Sequence, residues 1–191
     1  MRILDVGCGT GSSQLYATHV VVGIDIDPKR VAIARQKHPG ATFYTMSAHD
    51  MRQFREAEFD SVVSNVAVPY MDIPVALAEI SRVLKPGGTL HITLHNPSFT
   101  WGELRRCFPR PKPSLFRLFV LANGVWFHLT GKVLHVGSKC ESFQTVRGIT
   151  KALSAAGFTS CDLPAAKQFV VTATKPSSVA AEAFSYATSG K

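Results

Sequence analysis

Apolar runs alternate with amphipathic segments along the first half of the chain. The apolar runs are short and strand-like, and they cover residues 2–6, 20–24, 41–45, 59–64 and 89–95. Segments between them place their apolar residues at helical spacing instead. Strands that alternate with helices predict an α/β protein with a parallel sheet.

Local signals mark the ends of two predicted helices. Asp27 and the proline after it predict the N-cap and first turn of a helix that runs through residues 31–38. A second helix is expected to begin near Asp72, to carry Leu84 on its buried face, and to end at the Lys-Pro-Gly-Gly run of residues 85–88. Both helices are expected to be crossovers between parallel strands.

The second half departs from this alternation. Residues 97–139 contain four prolines and an apolar, aromatic stretch at 115–129, and they form a distinctive insertion after the fifth strand. The α/β pattern then returns, with a helix expected at about 143–156 and strand candidates at 159–163 and 168–174.

Length and composition limit the class of protein. A chain of 191 residues with 46% hydrophobic residues can form one domain with a substantial core. No secretory signal and no long uncharged apolar run is recognised, so we expect a cytoplasmic protein. The four cysteines have no metal-like spacing with the seven histidines, so neither a metal site nor a disulfide framework is predicted.

The net charge of +8 is unevenly distributed. Residues 1–96 carry nine Lys/Arg against nine Asp/Glu, whereas residues 97–191 carry twelve against four. This asymmetry indicates that the two halves meet different partners, with a plain solvated surface as the alternative.

The most specific pattern is a glycine-rich loop directly after the first strand. Gly7, Gly9 and Gly11 let the backbone turn sharply and approach a ligand closely, with backbone amides exposed at a helix N-terminus. Eighteen residues beyond Gly7, the second strand ends at Asp25, whose carboxylate can accept hydrogen bonds from both hydroxyls of a ribose. A nucleoside-like cofactor is therefore predicted, and a purely structural strand-to-helix turn is the alternative.

The glycine spacing and Asp5 limit the kind of cofactor. The loop has the spacing GxGxG, whereas dinucleotide enzymes prefer GxGxxG for pyrophosphate. Asp5 lies just ahead of the loop, where a carboxylate would repel a pyrophosphate but suit a cationic amino acid moiety. S-adenosylmethionine carries a sulfonium and an ammonium, so it fits better than a nicotinamide dinucleotide.

Four segments in order resemble the motif series of class I S-adenosylmethionine-dependent methyltransferases of the type 11-like group. They are LDVGCGTG at 4–11, VVGIDID at 21–27, FDSVVSNVA at 59–67 and LKPGG at 84–88, which a strand follows. The resemblance implies a Rossmann-like, doubly wound and mostly parallel sheet of seven strands in the order 3-2-1-4-5-7-6. Strand 7 would be antiparallel, and an α-rich insertion would follow strand 5. S-adenosyl-L-methionine is the implied cofactor.

The resemblance also implies cofactor contacts at the carboxyl ends of the first two strands. The first motif supplies Asp5, Gly7, Cys8, Gly9 and Gly11. Asp25 matches the ribose-binding carboxylate, and Ile26 beside it would pack on the adenine.

Further contacts are implied at the ends of the third and fourth strands. Ser47 stands where the family usually has an acidic residue that binds the adenine amino group, and Ala48 and His49 follow it. Adenine recognition would then use the Ser47 hydroxyl and nearby backbone. The methionine portion and the methyl-transfer cleft would be lined by Asn65, Val66 and Ala67.

Domain boundaries follow from the same resemblance. We predict one methyltransferase domain over 1–175, with a cofactor-binding half at 1–96, a substrate-side insertion at 97–142 and a closing helix and strands at 143–175. Residues 176–191 are Ser/Ala-rich and are expected to form a flexible tail. Most relatives have a helix ahead of the first strand, so a chain that begins inside that strand is expected to have a more open cofactor site.

Methyl transfer is a direct displacement, so the protein mainly has to align the reacting atoms in a dry cleft. A hydroxyl or phenol acceptor would benefit from a base, and His95 at the end of the fifth strand is the catalytic candidate. His49 is a second candidate, and a structural role is the alternative for both. His91, on the same strand face, is expected to be a packed sheet residue, and Tyr70 is expected either to contact substrate or to cover the site.

The end of the fourth strand also bears on the acceptor. Residues 64–67 lack the Asn/Asp-Pro-Pro-aromatic sequence with which nucleic acid amino-methyltransferases hold a planar nitrogen. A small-molecule or lipid-like acceptor is therefore favoured over nucleic acid. A noncatalytic cofactor- or partner-binding module with the same fold is the competing function, and methyl turnover would distinguish the two.

The insertion combines basic and aromatic residues. Residues 97–139 contain seven Lys/Arg and one acidic residue, interleaved with seven aromatic residues. Trp101, Arg105 and Trp126 are the substrate-side candidates, and the insertion is a candidate for peripheral membrane contact. The alternative is a helical cap whose aromatic residues belong to the core.

Overall fold

The computed structural model describes residues 1–95, 97–162 and 169–177. Within these ranges seven strands form one sheet in the order β3-β2-β1-β4-β5-β7-β6. The strands are β1 (Arg2–Val6), β2 (Val20–Asp25), β3 (Thr42–Thr45), β4 (Phe59–Asn65), β5 (Leu84–Leu94), β6 (Ser160–Asp162) and β7 (Phe169–Thr174). Neighbouring strands are parallel except in the two pairs that β7 makes, with β5 and β6. The predicted doubly wound sheet, its order and its antiparallel seventh strand are confirmed.

Five α-helices accompany the sheet in the described part of the chain. They are α1 (Pro28–Lys37), α2 (Ile73–Val83), α3 (Pro97–Cys107), α4 (Pro111–Thr130) and α5 (Val146–Ala155). Side chains cap α1 and α2 as the sequence predicts, since Asp27 accepts from the Lys29 N–H and Asp72 from the Val75 N–H. No helix in the described ranges is long and apolar enough to cross a membrane.

Leu84 differs from its prediction. It does not belong to the buried face of α2, because β5 already begins there and Leu84 pairs with Phe59 of β4. The register shifts between this pair and the Ser61–Thr89 pair, and the bulge accommodates the Lys-Pro-Gly-Gly run. The run predicted to end the helix is therefore part of the strand.

The first crossover, from β1 to β2, contains no α-helix. After the glycine loop, residues 12–19 form only a short 3-10 helix, η1 (Gln14–Ala17), with Ser13 as its N-cap. A 3-10 turn rises steeply and suits such a short connection. This path places Tyr16 close to the glycine loop.

Two buried clusters cover the faces of the sheet. The larger one joins β1, β4 and β5 to α2 and α5 through side chains such as Leu77, Ile80 and Leu153. The smaller one consists of Cys8, Val31, Ala34 and Phe43, between β3 and α1. Both clusters exclude water from strands whose carboxyl ends form the functional edge of the sheet.

The insertion contains two helices, α3 and α4, as the α-rich prediction expects. α4 packs on α5 so closely that a Cβ at Gly148 would lie 2.7 Å from the Phe127 ring. Asn123, fully buried in α4, bonds the backbone of the segment that returns from α4 to α5. The predicted domain boundaries remain predictions, and the tail lies outside the described residues from position 178 onward.

Candidate functional site

The loop after β1 turns on three glycines with positive φ: 73° at Gly7, 55° at Gly9 and 68° at Gly11. The N–H groups of Gly7 and Cys8 both donate to the Ile24 carbonyl, at 2.8 and 2.9 Å, which fixes the loop to the end of β2. Only glycine adopts such a succession of left-handed conformations without strain.

Gly7 and Gly9 have opposite surroundings. A Cβ at Gly7 would lie 2.2 Å from the Ala67 Cβ, so this part of the loop rests against the segment after β4. A Cβ at Gly9 would meet nothing within 4 Å. The loop is therefore packed on one side and open on the other, which leaves room for a ligand.

Asp25 joins the loop to this open space. Its Oδ2 accepts from the Gly9 N–H at 2.9 Å and its Oδ1 accepts from the Asp27 N–H at 2.9 Å. Each carboxylate oxygen has further acceptor capacity, so Asp25 can also accept the two hydroxyls of a ribose. The donor set and the open space fit a nucleoside whose ribose lies over the carboxyl ends of β1 and β2.

Asp5 is buried beside the loop, with 3% of its surface exposed. Burial, opposed by a hydrogen bond from the Tyr16 hydroxyl and reinforced by the charge of Asp25, raises the pKa of Asp5 to about 6. The same desolvation, with the charge of Asp5, raises the pKa of Tyr16. At neutral pH the site therefore holds a buried carboxylate with a neutral phenol as its partner.

Tyr16 and His38 were not predicted as site residues. Tyr16 lies against His38 and Phe43, with ring centroids 4.9 and 5.0 Å apart. The Nε2 of His38 is 2.7 Å from the Gly11 carbonyl oxygen. No sequence signal identifies either residue, because their contacts depend on the path of the connection between β1 and β2.

Cys8 contributes packing and backbone rather than a ligand-facing thiol. It is 8% exposed and belongs to the smaller core cluster. Burial, with the nearby charges of Asp5 and Asp25, raises the pKa of its thiol to about 12.

The expected adenine side lies at the end of β3. Ile26 is 75% exposed and available for packing, and Ser47 helps line a hollow of about 290 Å³ with Asp50 and Arg52. Ser47 Oγ accepts from the His49 N–H at 3.2 Å, which leaves its hydroxyl proton for a ligand. Ala48 is buried beneath this segment.

His49 has a structural partner. Its Nε2 accepts from the Asp72 N–H at 3.0 Å, which joins the segment after β3 to the start of α2. A ring nitrogen that accepts this bond cannot also accept a proton from an acceptor substrate. His95 is thereby favoured over His49 as a base.

The end of β4 carries backbone strain. Val66 has φ 57°, a left-handed conformation that a β-branched residue rarely adopts. Its N–H bonds the Thr93 carbonyl oxygen at 3.1 Å, and Asn65 Oδ1 accepts from the Thr93 hydroxyl at 3.2 Å. Strain that the surroundings hold in place is frequent at ligand sites, and here it adjoins Ala67, which contacts the glycine loop.

His95 lies at the end of β5 in an aromatic environment. Its ring is stacked on Phe99 at 4.0 Å and meets Tyr70 edge-on at 5.5 Å. Burial, then the positive charge of Arg117, lowers the pKa of His95, while Glu103 opposes this shift. The imidazole is therefore neutral at pH 7 and can accept a proton.

The backbone of His95 is held by Gln144. The His95 N–H donates to Gln144 Oε1 at 3.1 Å, and the Gln144 N–H donates to the His95 carbonyl at 2.9 Å. His91 is different, because it is exposed and its Nδ1 lies 3.1 Å from the Thr172 hydroxyl. The expectation of a packed His91 is wrong, since that face of β5 is covered only near its end.

An ion-pair cluster lies near His95 and Tyr70. Arg117 pairs with Glu141 at 2.5 Å and with Glu103 at 3.7 Å, and it connects α4 with α3 and the segment before α5. Burial, then the charge of Glu141, raises the pKa of Tyr70. This cluster was not predicted, because its members are distant in sequence.

The insertion forms an apolar groove of about 590 Å³ between α3 and α4. Its lining consists of Pro97, Ser98, Trp101, Leu121, Ala122, Val125 and Phe143. Arg105 lies over Trp101, with its guanidinium carbon 5.6 Å from the ring centroid. Trp101 and Arg105 therefore meet at the groove, whereas Trp126 is on the exposed surface of α4 and does not line it.

The aromatic residues of the insertion differ in exposure. Phe127 is fully buried, as a core residue of a helical cap would be. Phe99, Trp101, Phe108 and Trp126 are 43–75% exposed.

In residues 1–95, 97–162 and 169–177 no three His, Cys, Asp or Glu side chains are grouped as metal ligands.

Comparisons with known proteins agree with the resemblance to methyltransferases. A family model described as a methyltransferase domain matches residues 4–92. The malonyl-[acyl-carrier protein] O-methyltransferase of Erwinia pyrifoliae is 34% identical, over 57% of this chain and 45% of that protein. The demethylmenaquinone methyltransferase of Chlorobaculum parvum is 28% identical, over 82% of this chain and 65% of that protein.

The fold agrees with solved structures. A SAM-dependent methyltransferase of Methanosarcina mazei superposes with a TM-score of 0.61 at 20% identity, and the match covers 92% of each chain. The family-model match at residues 4–92 contains the glycine loop and Asp25. The match agrees with the predicted class of S-adenosylmethionine-dependent methyltransferases, and the superposition supports the predicted fold. The chain spans about half the length of the first curated relatives that it matches.

Proposed function

We propose that this protein transfers a methyl group from S-adenosylmethionine to a small-molecule or lipid-like acceptor by direct displacement. The observation that carries the proposal is the geometry of Gly9. The Gly9 N–H donates to the Asp25 carboxylate at 2.9 Å, and a Cβ at Gly9 would meet no atom within 4 Å. The N–H groups of Gly7, Cys8 and Gly9 bond within the protein, so the loop offers a ligand fixed space beside Gly9 rather than free amides, and it need not reorganise.

Different residues of the site would contact different parts of the cofactor. Asp25 would hold the ribose, Ile26 and Ser47 would contact the adenine, and Asp5 would face the cationic amino acid moiety. When bound, S-adenosylmethionine supplies a methyl carbon that the sulfonium already activates. Asn65 and Ala67 would line the path along which an acceptor approaches, and the strained backbone at Val66 fixes that path.

His95 would accept the proton of a hydroxyl or phenol acceptor at a neutral ring nitrogen. Phe99 and Tyr70 flank the ring and limit the access of water to it. Because the pKa of His95 is lowered, the ring stays competent as a base to below pH 6.5. Turnover should therefore rise with pH in the acidic range and level off before neutrality.

Two observations support an apolar acceptor. The groove between α3 and α4 is lined almost entirely by apolar side chains, and it begins at Pro97, two residues after His95. Relatives carry names that specify malonyl-[acyl-carrier protein] and demethylmenaquinone as the molecules methylated. A hydroxyl or carboxyl oxygen on an apolar molecule is the acceptor class that we would test first.

The noncatalytic alternative has one observation in its favour. Tyr16 already donates to the Asp5 carboxylate at 2.8 Å, so one oxygen of the group that would face the cofactor ammonium is engaged within the protein. The other oxygen retains its acceptor capacity, which the catalytic proposal requires.

Transfer of labelled methyl groups tests the proposal. Purified protein would be incubated with methyl-labelled S-adenosylmethionine and a panel of a quinol, a malonyl thioester with a free carboxylate and a simple phenol. We expect label on one acceptor class, with kcat reduced about 100-fold in His95→Gln and little change in KM. Protein that binds the cofactor but labels nothing would favour the noncatalytic module.

The pH profile separates a base from a packing residue. His95→Gln should remove the acidic limb of the kcat profile, whereas Phe99→Leu should keep that limb and change only the rate. Equal profiles for His95→Gln and the unchanged protein would reject His95 as the base.

A further inference from the structure

The outward face of α4 is apolar, although its inward face is already apolar and buried. The inward face consists of Val120, Asn123, Gly124 and Phe127. On the outward face, five large apolar side chains recur at helical spacing and are 43–70% exposed: Leu115, Leu118, Val125, Trp126 and Leu129. We call these five residues the outer stripe. A helix that is apolar all round is normally covered on both sides, and no described residue covers the outer stripe.

The neighbouring helix extends the same surface. Trp101 of α3 is 49% exposed, and Phe108 in the turn between α3 and α4 is 75% exposed. Trp126 adds a second indole from α4. Large exposed apolar patches of this kind mark interaction sites, and tryptophan is typical of lipid interfaces because its ring is apolar with one polar N–H.

Charge indicates what covers the patch. Residues 97–139 contain seven basic residues and Glu103 as their only acid, and Glu103 is already paired with Arg106 at 2.7 Å and with Arg117. Arg110 and Lys112, at the start of α4, are exposed. The surface therefore offers free positive charge beside apolar side chains, which is the composition of a helix that lies on an anionic membrane.

Other occupants fit less well. A second copy of the chain would bring the same positive residues face to face, which costs electrostatic energy. The last residues, 178–191, carry one Glu and one Lys and so provide no excess of negative charge. An anionic lipid surface fits both the positive charge and the apolar side chains of the patch, because it supplies negative headgroups and an apolar layer beneath them.

We propose that α3 and α4 dock on an anionic phospholipid bilayer through the outer stripe, Trp101 and Phe108, with Arg110 and Lys112 at the headgroups. The helices lie in the interface and do not cross the membrane. The apolar groove between them opens on the same two helices, and Trp101 and Val125 belong both to its lining and to the exposed surface. This arrangement rests on the proposed function in one respect: it gives a lipid-like acceptor a route from the bilayer to the end of β5.

Vesicle co-sedimentation with the full chain tests the docking. Vesicles of phosphatidylcholine alone would be compared with vesicles of phosphatidylcholine mixed with phosphatidylglycerol, at low and at high salt. We expect binding to the anionic vesicles only, weakened by salt. Leu118→Glu combined with Val125→Glu should reduce the partition about tenfold or more, whereas Val75→Glu on the exposed side of α2 should not.

The basic residues need their own variants. Arg110→Glu combined with Lys112→Glu should weaken binding to anionic vesicles about tenfold and flatten the salt dependence. Arg55→Glu, an exposed charge reversal away from the insertion, is the matched control and should bind as the unchanged protein does. Circular dichroism would verify that every variant is folded.

Three results would overturn the docking proposal. The first is that the folded protein does not bind anionic vesicles, and the second is that the outer-stripe variant binds them as well as the unchanged protein does. The third is a dimer in solution that Leu118→Glu dissociates, while the protein binds no vesicles. Calorimetric cofactor binding and turnover of a water-soluble acceptor are measured on the same samples. Absence of docking by the unchanged protein with intact turnover rejects the membrane surface alone, whereas docking by the unchanged protein without cofactor binding rejects the proposed function alone.

Discussion

The hydroxyl of Tyr16 donates a hydrogen bond of 2.8 Å to the buried carboxylate of Asp5. Asp5 precedes the glycine loop on β1, and Tyr16 belongs to the 3-10 helix that follows it. The bond partly offsets the cost of burying a charge, and burial still raises the pKa of Asp5 to about 6. A charge kept at such a cost indicates a functional role beside the loop.

Asp5→Asn should stabilise the free protein at neutral pH. The native state holds the Asp5 proton more tightly than the unfolded chain does, since its pKa is raised from 3.8 to about 6. Its stabilising contribution is thus present at low pH and is lost as the pH rises through about 6. An amide keeps an acceptor for Tyr16 and removes the charge, so the free energy of unfolding should rise by about 1 to 3 kcal/mol at pH 7.5.

Urea unfolding at pH 7.5 and pH 4 checks this expectation. The gain should be much smaller at pH 4, where Asp5 is protonated in the native state and partly protonated in the unfolded chain. Cofactor affinity of the unchanged protein should increase between pH 5 and pH 7, as Asp5 ionises. Asp5→Asn should bind the cofactor more weakly and should not show this increase. A gain of equal size at both pH values would show that the charge of Asp5 is not its cause.

Gly7→Ala and Gly9→Ala should have different effects. A Cβ at Gly7 would lie 2.2 Å from the Ala67 Cβ at φ 73°, so we expect a loss of about 2 to 4 kcal/mol in unfolding free energy. A Cβ at Gly9 meets no neighbour, so the loss should be near 1 kcal/mol, from its positive φ alone. Cofactor affinity should nevertheless fall sharply, because the Cβ enters the ligand space.

Thermal unfolding and calorimetry measure the two effects separately. Ala67→Gly in the Gly7→Ala background should recover part of the lost stability, because it removes the Ala67 Cβ that the new Cβ would contact. If Gly9→Ala bound the cofactor normally, the open side of the loop would not be the ligand site.

Val66→Gly and Ala57→Gly form a matched pair. Both positions have left-handed backbone, with φ 57° and 52°, so glycine should raise the unfolding free energy by about 0.5 to 1 kcal/mol at each. Only Val66 adjoins the cofactor loop. Methyl transfer should therefore decrease in Val66→Gly and stay unchanged in Ala57→Gly, and equal activities would remove any role of the strain in the site.

Asn123→Ala should loosen the segment between α4 and α5. The Asn123 side chain, 0% exposed, accepts from the Leu134 N–H at 2.6 Å and donates toward the Leu134, Cys140 and Glu141 carbonyls at 3.0 to 3.1 Å. Alanine would leave buried backbone groups without partners, at a cost of about 3 kcal/mol. Hydrogen exchange at Leu134 should accelerate, and unchanged protection there would contradict the assigned role.

Sequence periodicity predicted the α/β class with a parallel sheet, whereas the strand order and the antiparallel seventh strand came from the resemblance to the methyltransferase family. The spacing of Gly7, Gly9 and Gly11, with Asp25 at the next strand end, was sufficient to predict the sharp turn after β1 and the position of Asp25 beside it. These signals lie within short segments of sequence, so they can be recognised without knowledge of tertiary contacts. The position of Leu84 was missed because a bulge, rather than a loop, absorbs the Lys-Pro-Gly-Gly run.

Contacts between distant segments could not be predicted in this way. Tyr16 meets Asp5 only because the β1–β2 connection lacks an α-helix. Arg117, Glu103 and Glu141 meet only because α3 and the segment before α5 both pack on α4. The exposure of Trp126 beside the burial of Phe127 depends on which face of α4 packs on α5, and a helix that is apolar on both faces does not specify that.

The central claim, a cofactor site organised by Asp25, is tested most directly by calorimetric titration with S-adenosylmethionine and S-adenosylhomocysteine beside NAD. Asp25→Ala is the test variant, and Asp27→Ala, two residues away at the N-cap of α1, is the matched control. We predict saturable binding of both sulfur cofactors, no binding of NAD, an affinity about 100-fold lower in Asp25→Ala, and little change in Asp27→Ala. Folded protein that binds neither sulfur cofactor, or an Asp25→Ala variant that binds them as tightly as the unchanged protein, would contradict the account.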